Sequence, residues 1–295
     1  MAQQQIAVVT GGNRGIGQFL SEELSKTMPV LTLSRGGGAT STFNARSDYP
    51  IHKLSVDLTD LAELENRVRT WLDDHPDCRV SNLVLNAANL SLGLLQNMRP
   101  QDLETAFRTN VFSSVLLVGL ISRKQAFHDQ GSQVTYLTSS LARTEPTLTF
   151  SGIGLYSATK SAISRIAMVQ AREFALARPH IRVARVHPGI VDTNMQTELR
   201  SNTDVDPLFA VKTAGLPPYR PGDWNTISPS EAMRTISAEM AADFVLWACS
   251  RGDHEAREFD YYTSTEYHAV RDRRLATRAS IPSSGPEAVT GGVPA

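Results

Sequence analysis

Short runs of β-branched and aliphatic residues alternate along this chain with amphipathic stretches of helical length. The runs predict strands at residues 6–10, 30–34, 51–56, 83–85, 134–138 and 181–186, with a weaker seventh at 259–263. Apolar residues at three- and four-residue spacing predict helices at residues 15–26, 61–72, 102–127, 155–176 and 229–249. This order predicts an α/β fold with a parallel sheet, helices on both faces and a ligand crevice at the carboxyl ends of the strands.

Charge and cysteine content exclude several classes of function. The chain has 295 residues, with 29 Lys and Arg against 30 Asp and Glu, so it lacks the positive field expected of a protein that binds nucleic acid or an anionic membrane. Cys78 and Cys249 lie far apart with no Cys/His cluster near them, so neither a disulfide framework nor a metal site is predicted. The sequence shows no secretory leader and no long apolar span, and we expect a cytoplasmic protein.

Two segments depart from the alternation of strands and helices. Residues 194–228 are rich in proline and polar residues but carry a set of large apolar side chains, which favours a substrate lid. That set is Met195, Leu199, Leu208, Phe209, Leu216, Tyr219 and Trp224. The C-terminal residues are rich in Ser, Pro, Gly and Ala, and we expect a single domain over residues 1–270, including the lid, and a flexible tail over residues 271–295.

A glycine cluster follows the first predicted strand. It reads Thr10, Gly11, Gly12, Asn13, Arg14, Gly15, Ile16, Gly17. Glycines let a backbone approach a pyrophosphate closely, and the start of the next helix offers free N–H groups and a positive dipole end to that anion. The spacing TGxxxGxG differs both from the GxGxxG fingerprint and from the phosphate loop that needs Gly-Lys-Ser/Thr.

A tyrosine and a lysine stand four residues apart at the start of a predicted helix, in the sequence Tyr156-Ser157-Ala158-Thr159-Lys160. Residues at this spacing share a helix face, so the ammonium group of Lys160 can lie near the Tyr156 phenol and stabilise its phenolate. We therefore expect Lys160 to lower the pKa of Tyr156, with a nearby positively charged nicotinamide adding to the effect.

Together these motifs resemble the short-chain dehydrogenase/reductase family in its shorter, ordinary form. The resemblance runs from Ile6 to about Thr263 and includes, in family order, residues 10–17, 56–58, 86–88, 107–111, 134–139, 156–160 and 187–193. It implies a single-domain, Rossmann-like doubly wound sheet of about seven strands, a nicotinamide cofactor and a Ser/Tyr/Lys/Asn catalytic set. It also implies a homodimer or homotetramer paired through helices 102–127 and 155–176.

The resemblance assigns catalytic roles residue by residue. Tyr156 is expected to protonate the carbonyl oxygen as hydride arrives, and Lys160 to bind the nicotinamide ribose. Ser139 matches the serine that hydrogen-bonds the substrate oxygen, with Ser140 as a rival. Asn110 matches the residue that holds a water for proton relay to Lys160. His187 is read as a packed or pocket-wall residue.

Cofactor choice follows from the end of the second predicted strand, which reads Leu33-Ser34-Arg35 with no carboxylate before Asp48. NAD-selective proteins place an acid there for the ribose 2′-hydroxyl, whereas Arg35 and Arg14 can engage a 2′-phosphate, so we expect NADPH. By resemblance the cofactor site further takes in Ser34, Asp57, Leu58, Asn86, Ala87, Pro188, Gly189, Val191 and Thr193.

Two departures from the family pattern bear on the site. Leu85-Asn86-Ala87-Ala88 replaces the usual Asn-Asn-Ala-Gly, and the 17 positions from Ser139 to Tyr156 indicate an insertion at residues 144–150. The expected function is NADPH-dependent reduction of a bulky, hydrophobic ketone or aldehyde to an alcohol. The alternatives are a non-catalytic NADP-binding sensor or scaffold, which would be expected to lose Tyr156 or Lys160, and an epimerase or dehydratase, which usually has TGxxGxxG.

Overall fold

Strands and helices alternate along the residues that the computed structural model describes, which are 3–36, 40–42, 48–207 and 235–279. The strands are β1 (Gln4–Thr10), β2 (Val30–Ser34), β3 (Thr40–Thr42), β4 (Ile51–Ser55), β5 (Cys78–Leu85), β6 (Ser132–Leu137), β7 (Ile181–His187), β8 (Ile190–Val191), β9 (Thr235–Ile236) and β10 (Glu258–Asp260). The helices are α1 (Gly15–Leu24), α2 (Leu61–Asp74), α3 (Pro100–Phe107), α4 (Ser113–Arg123), α5 (Gly154–Ala177), α6 (Asn194–Ser201), α7 (Ala238–Cys249) and α8 (Thr265–Ala279). A π-helical turn, Arg108–Phe112, joins α3 to α4, and 3₁₀ turns lie at Leu95–Asn97, Ser140–Ala142 and Pro146–Leu148.

Seven parallel strands form the main sheet in the order β10, β7, β6, β5, β1, β2, β4, and β3 adds an antiparallel edge beside β4. Ala7 of β1 lies opposite Val30 on one side and Asn82 on the other. The chain winds outward from β1 through β2 and β4, and in the other direction from β5 through β6, β7 and β10. The predicted doubly wound parallel sheet of about seven strands is therefore confirmed, and its switch point opens a crevice at the carboxyl ends of β1 and β5.

Apolar side chains cover both faces of the sheet. On one face, Leu64 of α2, Leu117 of α4 and Ile163 of α5 belong to one buried cluster. On the other face, Leu20 of α1 and Phe244 of α7 belong to a second. Each helix packs one apolar stripe against the sheet, so the sheet is the middle of three layers. The helices cover its two faces and leave the carboxyl ends of the strands accessible to a ligand.

The long helix predicted at residues 102–127 is interrupted and ends early. The π-helical turn separates α3 from α4, and α4 ends at Arg123 because Gln125 adopts a left-handed φ of 51°. Phe127 lies beyond the helix, where it bridges to Val80 of β5. By length and composition Pro100–Arg123 could cross a membrane, but half of its most apolar window is buried inside the domain, as expected for a core helix.

The C-terminal third also differs from the sequence prediction. Residues 235–236 form β9, which pairs with β8, and α7 begins only after Ser237, whose hydroxyl accepts a hydrogen bond from the Met240 N–H. The helix predicted from residue 229 is therefore wrong for residues 235–237, and residues 229–234 lie outside the described residues. Residues 271–279 continue α8 rather than beginning a tail, because Tyr267 of this helix is buried against the core, and residues 280–295 lie outside the described residues.

Candidate active site

The turn between β1 and α1 has the geometry of an anion site. Gly11 and Gly15 have left-handed φ values of 69° and 54°, and a Cβ on Gly17 would clash with the Gly11 carbonyl oxygen. The N-cap residue of α1, Arg14, makes no side-chain cap bond, and the first turn carries no acid. The first N–H groups of α1 are therefore free of side-chain caps, which fits a cofactor pyrophosphate.

The neighbouring strand end holds this turn in place. Asn86 Nδ2 donates to the Thr10 carbonyl oxygen at 2.9 Å, and the Thr10 hydroxyl accepts from the N–H groups of Asn86 and Ala87 at 3.0 Å. A Cβ on Gly11 would lie 3.1 to 3.3 Å from Asn86 and Ala87. The two strand ends are thus joined by short side chains that bond to the backbone of the other strand, and no bulky side chain fits between Gly11 and Ala87.

The end of β2 presents positive charge. Arg35 and Arg14 are both exposed there, and Asn13 Nδ2 approaches the Arg35 carbonyl oxygen at 3.4 Å. Ser34, the last residue of β2, is half-buried. In the part of the chain that the structure describes, neither Arg14 nor Arg35 forms an ion pair with a carboxylate. Both guanidinium groups are therefore available to a 2′-phosphate.

Beyond β4 lie Asp57 and Leu58, which the resemblance assigns to the cofactor site. The Asp57 carboxylate accepts from the Thr59 N–H at 2.9 Å and from its hydroxyl at 2.8 Å, and these bonds, with a smaller contribution from Arg35, lower the Asp57 pKa. Leu58 is buried in the core cluster that contains α2. The carboxylate therefore stays charged at neutral pH and is held by its own turn.

Ser139, Tyr156 and Lys160 lie together at the carboxyl end of β6. Ser139 follows the strand, its hydroxyl accepts from the Leu141 N–H at 3.2 Å, and its interaction with the Tyr156 phenol lowers the pKa of that phenol. Lys160, one turn along α5, donates to the Leu137 carbonyl oxygen at 2.8 Å, and its Nζ lies 5.7 Å from the centre of the Tyr156 ring. Of the two serines that the sequence leaves open, Ser139 is the one that affects the Tyr156 pKa.

Burial dominates the titration of this pair. It raises the pKa of Tyr156 to about 12, against a smaller lowering by the Ser139 bond, and it lowers the pKa of Lys160 to about 8. The expected lowering of the tyrosine pKa by Lys160 is therefore not seen in the protein by itself, because the desolvation of a phenolate dominates. At pH 7 the phenol is protonated and the lysine largely charged.

Asn110 joins two segments of the site from the π-helical turn. Its Oδ1 accepts from the Asn89 N–H at 2.6 Å, and its Nδ2 donates to the Asn89 carbonyl oxygen and to the Thr159 hydroxyl, both at 2.9 Å. Thr159 in turn donates to the Tyr156 carbonyl oxygen at 2.7 Å. The Asn110 side chain thus connects the loop after β5 to the helix that carries Tyr156. No role in this contact is predicted for Thr159, and its position between Tyr156 and Lys160 is the only signal in the sequence that could have indicated one. The water relay stays a prediction.

The turn after β7 closes the crevice opposite the glycines. Pro188 is buried and Gly189 has a left-handed φ of 93°. A Cβ on Gly15 would lie 3.6 Å from Thr193 Cγ2, and the Thr193 hydroxyl contacts the Val191 carbonyl oxygen at 3.3 Å. Ile16 packs against the core and Val191 is buried in it. The predicted cofactor residues of the two segments therefore face one another.

His187 is a packed residue, as predicted. It is 4% exposed at the end of β7, burial lowers its pKa, and its ring lies 6.2 Å from that of Tyr262.

A small apolar cluster borders the open side of the crevice. Phe150 and Ile153 pack against Leu199 and Val205, with Leu90, Leu92 and Leu141 beside them. The predicted insertion thus packs onto the first part of the predicted lid, in which Met195 is half-buried. The lid residues Leu208, Phe209, Leu216, Tyr219 and Trp224 lie outside the described residues. A cavity of about 410 Å³, lined mainly by residues 89–94 and by Asp204, opens next to this cluster.

Residues 5–204 match the family model described as short chain dehydrogenase, which is more than half of the chain. The chain belongs to the short-chain dehydrogenase family. Galactitol 2-dehydrogenase of Agrobacterium fabrum is 25% identical over 189 residues, which are 64% of this chain and 71% of that protein. Benzil reductase ((S)-benzoin forming) of Bacillus cereus is 24% identical over 220 residues, which are 70% of this chain and 86% of that protein.

Solved structures of the family share the fold. A short chain dehydrogenase from Burkholderia cenocepacia, in complex with NADP, superposes with a TM-score of 0.61 at 20% identity and covers 88% of this chain and 95% of its own. The protein is therefore an oxidoreductase of a family that acts on alcohol and carbonyl groups with nicotinamide cofactors.

Proposed function

We propose that this short-chain dehydrogenase reduces a ketone or aldehyde to an alcohol with NADPH. The observation that carries the proposal is the meeting of Ser139, Tyr156 and Lys160 at the carboxyl end of β6, beside a glycine turn suited to a pyrophosphate. A non-catalytic binding protein would not need a buried tyrosine next to Ser139 and a buried lysine. NADPH, when bound, supplies the hydride.

The chain's own residues supply the proton and hold the carbonyl. Ser139 donates to the substrate oxygen and Tyr156 protonates it, since a phenol with a pKa of about 12 is fully protonated at neutral pH. The charge on Lys160 then stabilises the tyrosinate that remains. With a pKa of about 8, Lys160 loses that charge in mildly alkaline solution, so the reduction rate is expected to fall above pH 8.

The choice of NADPH rests on the charge at the end of β2. Arg35 and Arg14 are exposed there and the strand end has no acid to accept a hydrogen bond from a 2′-hydroxyl. Asp57, Asn86, Gly189 and Thr193 would hold the rest of the cofactor. A fold neighbour that binds NADP supports this choice.

The substrate is proposed to be bulky and hydrophobic. The cluster of Phe150, Ile153, Leu199 and Val205 gives the open side of the crevice an apolar border, which favours excluding water from a large apolar carbonyl compound. The similarity to a benzil reductase supports this class, whereas the similarity to a galactitol dehydrogenase makes polyol oxidation the outcome to exclude.

The test is a set of initial rates, followed by cofactor absorbance, with NADPH and NADH against aromatic ketones, small ketones and sugars, and with NADP and NAD against polyols. We expect the highest kcat/KM for an aromatic ketone with NADPH. Faster polyol oxidation with NAD would overturn both cofactor and substrate class. Tight NADPH binding without turnover of any compound would favour a sensor or scaffold.

We also propose that the protein is a homodimer or homotetramer and that it is located in the cytoplasm. The two free, buried cysteines are consistent with that reducing compartment. Of the apolar residues on the segments predicted to pair, Val118 and Ile163 are core residues, but Val115, Met168 and Val169 are exposed, as are Phe112 and Leu176. Two such helices carry more apolar surface than a monomer needs. Light scattering should give a dimer or larger, and Val169→Asp should lower the measured mass; a wild-type mass near 32 kDa would contradict the proposal.

A further inference from the structure

An ion pair lies directly behind the turn that carries Ser139. Arg143 follows the 3₁₀ turn Ser140–Ala142, and its Nη2 donates to Asp260 Oδ2 at 2.5 Å, with Glu258 Oε2 at 3.4 Å. The Asp260 side chain is 8% exposed and that of Arg143 is 30% exposed. A short, charge-assisted bond to a buried carboxylate is among the strongest contacts that a side chain can make, and it fixes the geometry of both partners.

The same acids hold the other side of Ser139. Glu258 Oε1 accepts from the hydroxyl of Thr138, the residue before Ser139, at 3.2 Å. The same oxygen lies 4.0 Å from Arg185 Nη1, which donates to Ser164 on α5 at 2.8 Å. We call Thr138, Arg143, Arg185, Glu258 and Asp260 the charge network. The charge network holds Thr138 before Ser139 and Arg143 after it, and through Arg185 it contacts Ser164 of the helix that carries Tyr156.

Asp260 also reaches the turn opposite the glycines. Its second oxygen, Oδ1, accepts from the Tyr262 N–H at 2.9 Å, and the Tyr262 hydroxyl accepts from the Ile190 N–H at 2.9 Å. One carboxylate is thus bonded to the Arg143 guanidinium on the serine side and, through Tyr262, holds residues 189–191 on the cofactor side.

We propose that Arg143 is a positioning residue for the reaction, which, through Asp260, fixes Ser139 relative to Tyr156. This inference rests on the proposed carbonyl reduction. A displacement of about 1 Å at a reacting group can cost about 100-fold in rate, so an ion pair that holds Ser139 in position should affect kcat. Arg143 acts through Ser139, so its loss should leave NADPH affinity and the protonation chemistry of Tyr156 in place.

The first arm of the test compares Arg143→Met, Asp260→Asn and the double variant. Arg143→Met leaves the Asp260 carboxylate buried without its partner, so both Tm and kcat should fall, kcat about tenfold or more. In the double variant that unpaired charge is gone, so Tm should recover while kcat stays low. If kcat recovers together with Tm, the pair only stabilises the fold and the proposal is wrong.

The second arm is rescue. In Arg143→Ala, guanidinium ion at tens of millimolar should raise kcat several-fold with little change in the KM for NADPH, and it should not raise kcat of the wild type. Lys124→Met is the matched control, since Lys124 is 33% exposed and pairs with Asp73 at 2.6 Å at the end of α4. Equal losses in the control and in Arg143→Met would overturn the proposal.

The third arm does not depend on turnover. Hydrogen exchange should quicken in the peptide that contains residues 139–143 of Arg143→Met and stay unchanged at residues 11–17 and 189–191, because Asp260 keeps its other bond, to the Tyr262 N–H. Unchanged exchange at residues 139–143 would overturn the proposal that Arg143 positions Ser139. A wild type that exchanges as expected but reduces no carbonyl compound would instead contradict the proposed function.

Discussion

The cofactor side and the substrate side of the crevice are held by different kinds of contact. On the cofactor side, the Gly11 N–H donates to the Leu33 carbonyl oxygen at 2.7 Å, and Thr10 bonds to the backbone of the next strand. On the substrate side, Phe150 and Leu199 meet by apolar packing, and Arg143 reaches Asp260 across 117 positions of sequence. Glycine turns and bonds to the backbone build the first side, whereas contacts between side chains of distant segments build the second.

This difference predicts that the cofactor side can be shared by a large family while the substrate side varies. A turn made of glycines and backbone bonds tolerates little change, since a Cβ on Gly17 would clash with Gly11. An apolar cluster accepts other side chains of similar volume, so the substrate side can diverge while the sheet is kept. Substitutions on each side should therefore have separable effects.

The largest effect is expected where the two sides meet. Tyr156→Phe should lower kcat by about 10²- to 10⁴-fold, because it removes the proton donor and leaves the packed ring. NADPH affinity should change little. The measurement is single-turnover hydride transfer by stopped flow together with an NADPH titration.

Tyr267→Phe is the matched control for that variant, since it removes a tyrosine hydroxyl that donates to Asp243 at 2.8 Å in α7, on the outer face of the sheet. It should keep wild-type kcat. A Tyr156→Phe rate within a few-fold of wild type would assign the proton donor to another group.

The next effect concerns stability and pH. Burial lowers the pKa of Lys160 from 10.5 to about 8, so the charged lysine costs the folded state up to about 3 kcal/mol below pH 8. Wild-type stability should rise between pH 8 and pH 10.5, where the unfolded chain still holds the proton that the folded chain has lost. Lys160→Met should thus be more stable than wild type at pH 7 and inactive.

Urea unfolding of both proteins at pH 7 and pH 9.5, at one protein concentration, measures this. The advantage of Lys160→Met should shrink at the higher pH. An advantage that grows with pH would mean that Lys160 is stabilised as a cation in the folded state.

A smaller effect, confined to the cofactor side, is expected from Arg35→Asp. The new carboxylate repels a 2′-phosphate and accepts from a 2′-hydroxyl, so the ratio of kcat/KM for NADPH to that for NADH should fall by about tenfold or more. Arg182→Asp, an exposed arginine in β7, controls for the change in net charge. An unchanged ratio would place the 2′-phosphate elsewhere.

The sequence predicts the cofactor side well because its signals are local. Strand runs, the glycine spacing around Gly11 and the motif from Tyr156 to Lys160 each lie within a few residues, and the structure brings them together. The sequence prediction is wrong about the end of α4 at Arg123 and the start of α7 after Ser237. The left-handed Gln125 and the Ser237 cap determine these two positions, and apolar periodicity contains no information about either.

The substrate side is less predictable for a physical reason. No local pattern pairs Arg143 with Asp260, or Phe150 with Val205, because the fold alone makes these residues neighbours. The raised pKa of Tyr156 is likewise invisible in the sequence, since desolvation depends on everything packed around the ring. Long-range contacts and burial are the information that the motifs lack.

The smallest effect is expected from loosening the substrate side alone. Phe150→Ala removes the aromatic ring that joins the insertion to α6, so the segments around Leu199 and Val205 should open locally while the sheet core is untouched. The KM for a bulky aromatic ketone should rise several-fold, up to about tenfold, with NADPH affinity within twofold of wild type. Phe150→Leu keeps most of the apolar contact and should behave nearly as wild type. Thr193 precedes α6 and faces Gly15, so it could transmit a change near α6 to the cofactor turn. If Phe150→Ala weakened NADPH binding as much as it raised the KM for the ketone, the two sides of the crevice would not be separable.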